Sequence, residues 1–443
     1  MTSMNRGTCA LSRPHVTSAG PTGAFSMSLD DRRRLGLPPA ASTGLMLVGT
    51  LIAIYMVTQF LRNSVAVIAP DLAQSVGLSA GDLGLLSSVY FFTFALAQLP
   101  VGIALDRFGP RRVLLVCAAI MILGCLAFAV AASSAGLIGA RTLMGLGSSS
   151  AFMASLAIFA RRFAPDRFAT LTGLQYGIGS VGSLFATAPL AFAAATIGWR
   201  ESFAVVAVVT LAAGILVAVV VKDDPAARSA RSQESIGEAV YGILTVVRTP
   251  SVGRLFLMHL AAYSSFALFV GLWGGPYLSH IYGYGLTERG ELLLIPALAQ
   301  IAGAFLWGPA DRLFGRYKPP VLLGAGLTVA MLAILALTGA PPLPLLIAWM
   351  AVFGSLAFTP PLIAHGKSLF PPHLVGRGLT LFNMGTMGGV FLTQAVSGVV
   401  IDLFPVEDGG YPLLAYRCVF LLQAVFVLIA MAAYLGSRDP QRG

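Results

Sequence analysis

The chain alternates long apolar runs with short polar interruptions, and roughly a dozen of the runs are long enough to matter. A helical membrane crossing needs about 20 apolar residues, and the runs at 45–69, 82–105, 113–132, 136–160, 168–195 and 202–221 each meet that length. A second set follows at 253–279, 289–310, 320–339, 343–368, 375–403 and 413–436. The pattern predicts an all-α integral membrane protein of twelve transmembrane helices. The boundaries divide it into a polar tail (1–43), a six-helix bundle (44–221), a polar linker (222–250), a second six-helix bundle (251–436) and a short tail (437–443). No signal-peptide core precedes the first long run, so no cleavage is expected. The tail 1–43 is expected to be disordered, and Met27 is an alternative start to Met1.

Composition supports lipid as the solvent. Of 443 residues, 57% are hydrophobic and 10% are charged, against about 25% charged in soluble domains. The net charge of +10 does not indicate a nucleic-acid partner, because the arginines and lysines sit in short clusters between apolar runs. With the N-terminus placed inside, 23 of the 28 basic residues fall in the tails and inner loops, and only Arg200, Arg289 and Arg417 fall outside. That asymmetry predicts both termini in the cytoplasm. The four cysteines form no disulfide framework or metal-ligand spacing.

The two sets of runs repeat one another. GIALDRFGPRRVLL at 102–115 has a weaker copy in GPADRLFGRYK around Asp311. Arg167-x-x-Thr170-Leu171 matches Arg377-x-x-Thr380-Leu381, and Trp199-Arg200-x-x-Phe203 matches Tyr416-Arg417-x-x-Phe420. Two six-helix repeats are a transporter architecture, with the substrate site expected at their interface.

Few residues inside the runs carry charge. Tyr55, Gln59 and Arg62 follow i, i+4, i+7 spacing and form one polar face on the first helix. Lipid penalises such a face, so it is expected to line a substrate path; snorkelling of Arg62 to the interface is the competing reading. Arg141 in the fourth run has no acidic partner there, and either joins the cavity or stays near the outer surface. Tyr90, Gln175, Tyr176, Tyr263 and Asn383 are further cavity candidates, as are His259, Gln300 and Gln394, although each equally suits an interhelical hydrogen bond. No Asp or Glu falls in the middle of a run, so the expected cavity is neutral or positive and favours an anionic cargo. Trp273-Gly274-Gly275-Pro276 is expected to break the seventh helix. Glycines 173, 177 and 182 in the fifth run and 385, 388 and 389 in the eleventh are expected to permit close helix contact. No nucleophile–base set, metal cluster or phosphate loop stands out, so neither an enzyme nor a cofactor is expected.

The loop Gly102–Arg112, with twelve spans and a second-half copy, resembles the signature G-x-x-x-D-R-x-G-R-R of the major facilitator superfamily, here with Pro110 inserted. Arg141-x-x-x-Gly145-x-Gly147 is similar to that family's fourth-span motif, and the antiporter motif of the fifth span lacks its proline at Ile178. The resemblance implies a gating role for Asp106, Arg107, Gly109, Arg111 and Arg112, with Asp311 and Arg312 as counterparts. The segment 60–70 also looks like the first span of organic-anion members, which implies that Arg62 pairs with the substrate anion. A monomeric, multi-pass secondary transporter of the bacterial inner membrane follows, moving a small organic anion by alternating access with proton or counter-substrate coupling. A drug or metabolite efflux pump on the same fold is the alternative, and a non-transporting receptor a third.

Overall fold

The computed structural model describes residues 41–222 and 245–439, apart from 339, 372, 373 and 408. The expected tail up to residue 40 and most of the linker lie outside the described residues. Among the described residues twelve helices have membrane-crossing length and apolarity, at Gly44–Asn63, Ala80–Leu105, Pro110–Val130, Ser134–Arg162, Thr170–Ile197 and Trp199–Val220 in the first half. Val252–Tyr282, Leu286–Leu313, Lys318–Thr338, Leu343–Ser368, Val375–Asp402 and Leu413–Leu435 form the second. They are called spans one to twelve below. Large apolar side chains such as Val130, Phe192, Leu313 and Leu337 stand exposed on the outside, as a lipid-facing surface requires.

Local chemistry sets the helix ends. Span two starts at a capping box: Ser79 Oγ accepts from Asp82 N–H at 3.1 Å, and the Asp82 carboxylate accepts from Ser79 N–H at 3.2 Å. It ends at Gly109, whose φ of 87° suits glycine, and Pro110 opens span three at a first-turn position where its missing N–H costs nothing.

Spans one and seven depart from a plain helix. Span one stops at Asn63, one residue past Arg62, rather than running on to 69, and a separate helix Val65–Val76 follows. Span seven widens into a π-turn at Phe269–Trp273. Pro276 explains the second irregularity, because it lacks the N–H that would bond to the Leu272 carbonyl; the π-turn absorbs the mismatch one turn earlier, closing with Gly274 N–H on Phe269 O. The expected break at Trp273–Pro276 is therefore displaced, and the helix resumes at Gly274.

The bundles seal against each other at one end. Gly275 sits so close to the Ala66 carbonyl that an added Cβ would lie 1.8 Å from it. Pro70 leaves that carbonyl without its usual helical donor, which opens room for the approach. Gly84 packs on Gly398, and Gly290 on Ala191. The Asp402 carboxylate accepts from the N–H groups of Ala80 and Gly81 at 2.8 and 2.7 Å, where span two begins and its dipole favours an anion. Tyr411 donates to the same carboxylate at 2.9 Å, and burial keeps its phenol above its ordinary pKa. At this Asp402 end the buried apolar core runs continuously from one bundle into the other, whereas at the Asp106 end the second bundle has a core of its own. The glycines singled out in spans five and eleven work differently: Gly182 packs on Met56 and Gly389 on Leu260, inside single bundles.

Candidate functional site: an interior cavity around Arg62

Between the bundles, on the Asp106 side of the seal, lies an open cavity with about 1370 Å³ of empty space, the solvent at its mouth included. Span one contributes Tyr55, Gln59, Arg62 and Asn63, span two Phe94 and Gln98, and span five Tyr176. His259, Tyr263, Gln300, Asn383 and Thr386 face them from the second bundle. A side chamber of about 1020 Å³ shares Tyr176, Tyr263 and Gln300 and continues between apolar residues such as Phe266 and Phe353.

Arg62 is 9% exposed. Its guanidinium lies over the Phe94 ring at 5.1 Å from the centroid, a favourable place for a cation, and Tyr263 stands beside it. Its Nε has no protein partner. Among the described residues lining the cavity no carboxylate is present, and Arg62 is the single permanent charge. The snorkelling alternative is not what the helix does.

Eight of the twelve expected cavity residues come together here: Tyr55, Gln59, Arg62, Tyr176, His259, Tyr263, Gln300 and Asn383. Arg141, Tyr90, Gln175 and Gln394 do not: Gln394 donates to Ala267 O inside the second bundle, and the other three turn to the back of span one, where the interrupted helix explains the place of Arg141. A helix end leaves its last four carbonyls without intrahelical donors, and Leu61 O is one of them. Arg141 Nη1 donates to Leu61 O at 2.6 Å, Tyr90 Oη to Thr58 O at 3.1 Å, and Ser64 Oγ to Leu61 O at 3.1 Å. Arg141 is fully buried and stacks over Tyr90 at 4.6 Å. Gln175 donates to Leu51 O and to Ser155 Oγ. These three side chains therefore hold span one from behind instead of lining the cavity. Asn63 and Gln98 were not among the expected site residues, although each extends an i, i+4 series from Gln59 and Phe94 that sequence spacing contains.

The expected gating residues lie at the opposite end from the seal. Arg111 donates to Ala218 O at 2.7 Å, tying span three to span six. Arg107, Arg112 and Arg312 are exposed, while Asp311 is buried.

The family model described as Major Facilitator Superfamily matches residues 51–274 and 255–443. The chain belongs to the Major Facilitator Superfamily. It is accordingly a multi-pass membrane protein of a transporter family. The Probable sulfoacetate transporter SauU of Cupriavidus necator is 26% identical over 282 residues, covering 61% of this chain and 66% of that protein. The hexuronate transporter of Escherichia coli K12 is 22% identical over 390 residues, covering 83% and 89%. The chain thus spans just under two thirds of the sulfoacetate relative's own length. Among solved structures, a bacterial homolog of the human lysosomal transporter Spinster, in an inward-facing and occupied conformation, superposes with a TM-score of 0.73. It has 17% identity and covers 89% of this chain and 97% of that one. In this superfamily member the two bundles meet at the Asp402 end and flank a cavity in which Arg62 is the one permanent charge among the described lining residues.

Proposed function

We propose that the protein is a secondary transporter that carries a small organic anion by alternating access, coupled to protons or a counter-substrate, with Arg62 as the charge partner of the cargo. One observation carries the reading: Arg62 is buried at the wall of the interior cavity, and no carboxylate among the described lining residues offsets it. A buried guanidinium left without a counter-charge is costly, and a cargo anion supplies the missing charge while gaining strong, charge-assisted hydrogen bonds. The relatives named for sulfoacetate and hexuronate agree with an anionic cargo.

By the distribution of basic residues we read the Asp106 end as the cytoplasmic face, with both termini on that side. The seal at Asp402 then faces outward, and the cavity takes up or releases cargo on the inside. In this reading Asp106 and Arg107, with Asp311 and Arg312, brace the inner loops in the alternate state. Asp106→Asn is expected to insert normally yet lose transport, and unchanged kinetics would remove the gating role.

The deciding experiment is a thermal-shift series on the purified protein with small carboxylates, sulfonates and lipophilic cations. Stabilisation by anions that disappears in Arg62→Ala supports the reading. Stabilisation by lipophilic cations, unaffected by that substitution, overturns it in favour of an efflux pump.

A further inference from the structure

The side chamber that opens off the Arg62 cavity has a chemistry of its own. It lies between span five and the second bundle, and among its described lining residues none is charged. Phe266, Ile301, Ala304, Phe305, Phe353 and Leu356 form its apolar walls. These walls can be reached: Phe305 is 71% exposed, and Ile301, Ala304 and Leu356 are half-buried. The Phe305 ring leans toward span five, with Cζ 3.6 Å from the place of a Cβ on Gly177. Polar groups in the chamber are largely engaged already. Thr328 Oγ1 donates to Gly324 O at 2.8 Å and Ser180 Oγ to Tyr176 O at 2.7 Å, so both hydroxyl protons turn back onto their own helices. Ser265 Oγ accepts from Gln423 Nε2 at 2.9 Å.

Charge and apolar wall belong to one continuous space. Tyr176, Ser180, Tyr263, Gln300 and Thr359 line both the chamber and the Arg62 cavity. Tyr263 stands beside Arg62, and its ring centroid is 5.9 Å from that of Phe266. One residue therefore separates the guanidinium from the first aromatic wall, and a molecule with its charge at Arg62 enters the chamber by extending past Tyr263. A hydrated body gives up water there and finds few free partners in return. An apolar body gains in proportion to the area it buries.

We propose that the cargo is an amphipathic anion, a carboxylate or sulfonate whose charge meets Arg62 and whose alkyl or aryl body occupies the side chamber. This rests on the Arg62 reading and sharpens it from small organic anions in general to those with an apolar body. Arg62 holds the charge, and the chamber walls select among anions that Arg62 alone would hold alike.

Isothermal titration of the full-length protein in lipid nanodiscs, with empty nanodiscs as the blank, tests it on propionate, hexanoate and gluconate. Each buried methylene is worth about four-fold in affinity, so hexanoate is expected to bind at least ten-fold more tightly than propionate. Gluconate, the six-carbon polyhydroxy counterpart, is expected to bind more weakly than hexanoate. A Cβ added at Gly173, which lines the chamber, meets nothing within 4 Å. Gly173→Trp therefore fills the chamber from span five, and is expected to bring the ratio of hexanoate to propionate below three-fold. Ile301→Asn makes a wall of span eight polar and should lower the same ratio, so the test does not depend on one variant folding. Equal affinities for propionate and hexanoate, gluconate bound at least as tightly as hexanoate, or a ratio that persists in either folded variant overturns the inference and leaves the Arg62 reading standing. Hexanoate binding that is unchanged in Arg62→Ala, or no binding of any of the three acids, overturns both.

Discussion

Arg289 of span eight reaches across the closed end to Asp71, with Nη2 2.6 Å from Oδ2, and so joins the two bundles by a salt bridge. The arginine is nearly buried and the aspartate is 37% exposed, so solvent screens the pair from one side. Asp71→Asn is expected to weaken the seal by about 1 kcal/mol, about a five-fold shift toward the opposite-facing state. A cysteine at Ser87, which is buried beneath the seal, would report the shift as faster labelling by an impermeant maleimide from the Asp402 side. The paired exchange Asp71→Arg with Arg289→Asp should return labelling toward the parent rate.

The glycine contacts at the same end make a stronger prediction. A Cβ on Gly398 would lie 2.7 Å from Ala80 O and 3.0 Å from Gly84 Cα. Real side chains do not tolerate such contacts with backbone, so Gly398→Ala excludes the seal as it stands. The substitution is expected to populate the opposite-facing state and cut transport at least ten-fold, with little loss of thermal stability. Distances between spin labels on the two bundles at this end would lengthen. Unchanged distances would mean that the helices shift to admit the methyl group at small cost.

Arg141 tests the distinction between binding and support. It is fully buried, spans the gap to Leu61 O and Leu86 O, and stacks on Tyr90. Arg141→Met removes a charged donor from the end of span one, and about 1.5–3 kcal/mol of stabilisation with it. A melting temperature lowered by several degrees is expected, whereas the dissociation constant of the surviving folded protein should stay within three-fold. A large rise in the dissociation constant with no loss of stability would place Arg141 in the binding surface instead.

The architecture was legible because lipid imposes it: apolar length, alternating basic clusters and internal repeats each follow from the solvent. The polar face of Tyr55, Gln59 and Arg62 was legible for the same reason, since helical periodicity turns spacing into direction. What spacing does not contain is the interruption at Ser64. That break exposes the Leu61 carbonyl and draws Arg141 to the back of span one, where Tyr90 and Gln175 bond to Thr58 O and Leu51 O, although by residue type all three look as suited to a cavity as Arg62. The register of the break in span seven was missed by one turn, because a proline acts on the carbonyl four residues before it. The direction in which His259 points likewise depends on its contact with Thr386 and its stacking on Phe382, 127 and 123 positions further along the chain.

Arg62 itself distinguishes charge from geometry. Its planar guanidinium lies over Phe94, with Nε left unpaired at the cavity wall, and a carboxylate or sulfonate can meet such a group through two parallel hydrogen bonds. Arg62→Lys keeps the charge but loses the fork and the stacking, so an anion that binds the parent is expected to bind about ten-fold more weakly, about 1.4 kcal/mol. Arg62→Ala removes the charge as well, and about a hundred-fold loss is expected. Isothermal titration of the three proteins with one such anion measures both steps. Equal losses for lysine and alanine would show that the fork carries the recognition and the charge adds little. A lysine variant that matches the parent would show the reverse, a site that attracts anions by charge alone and leaves their discrimination to the second bundle.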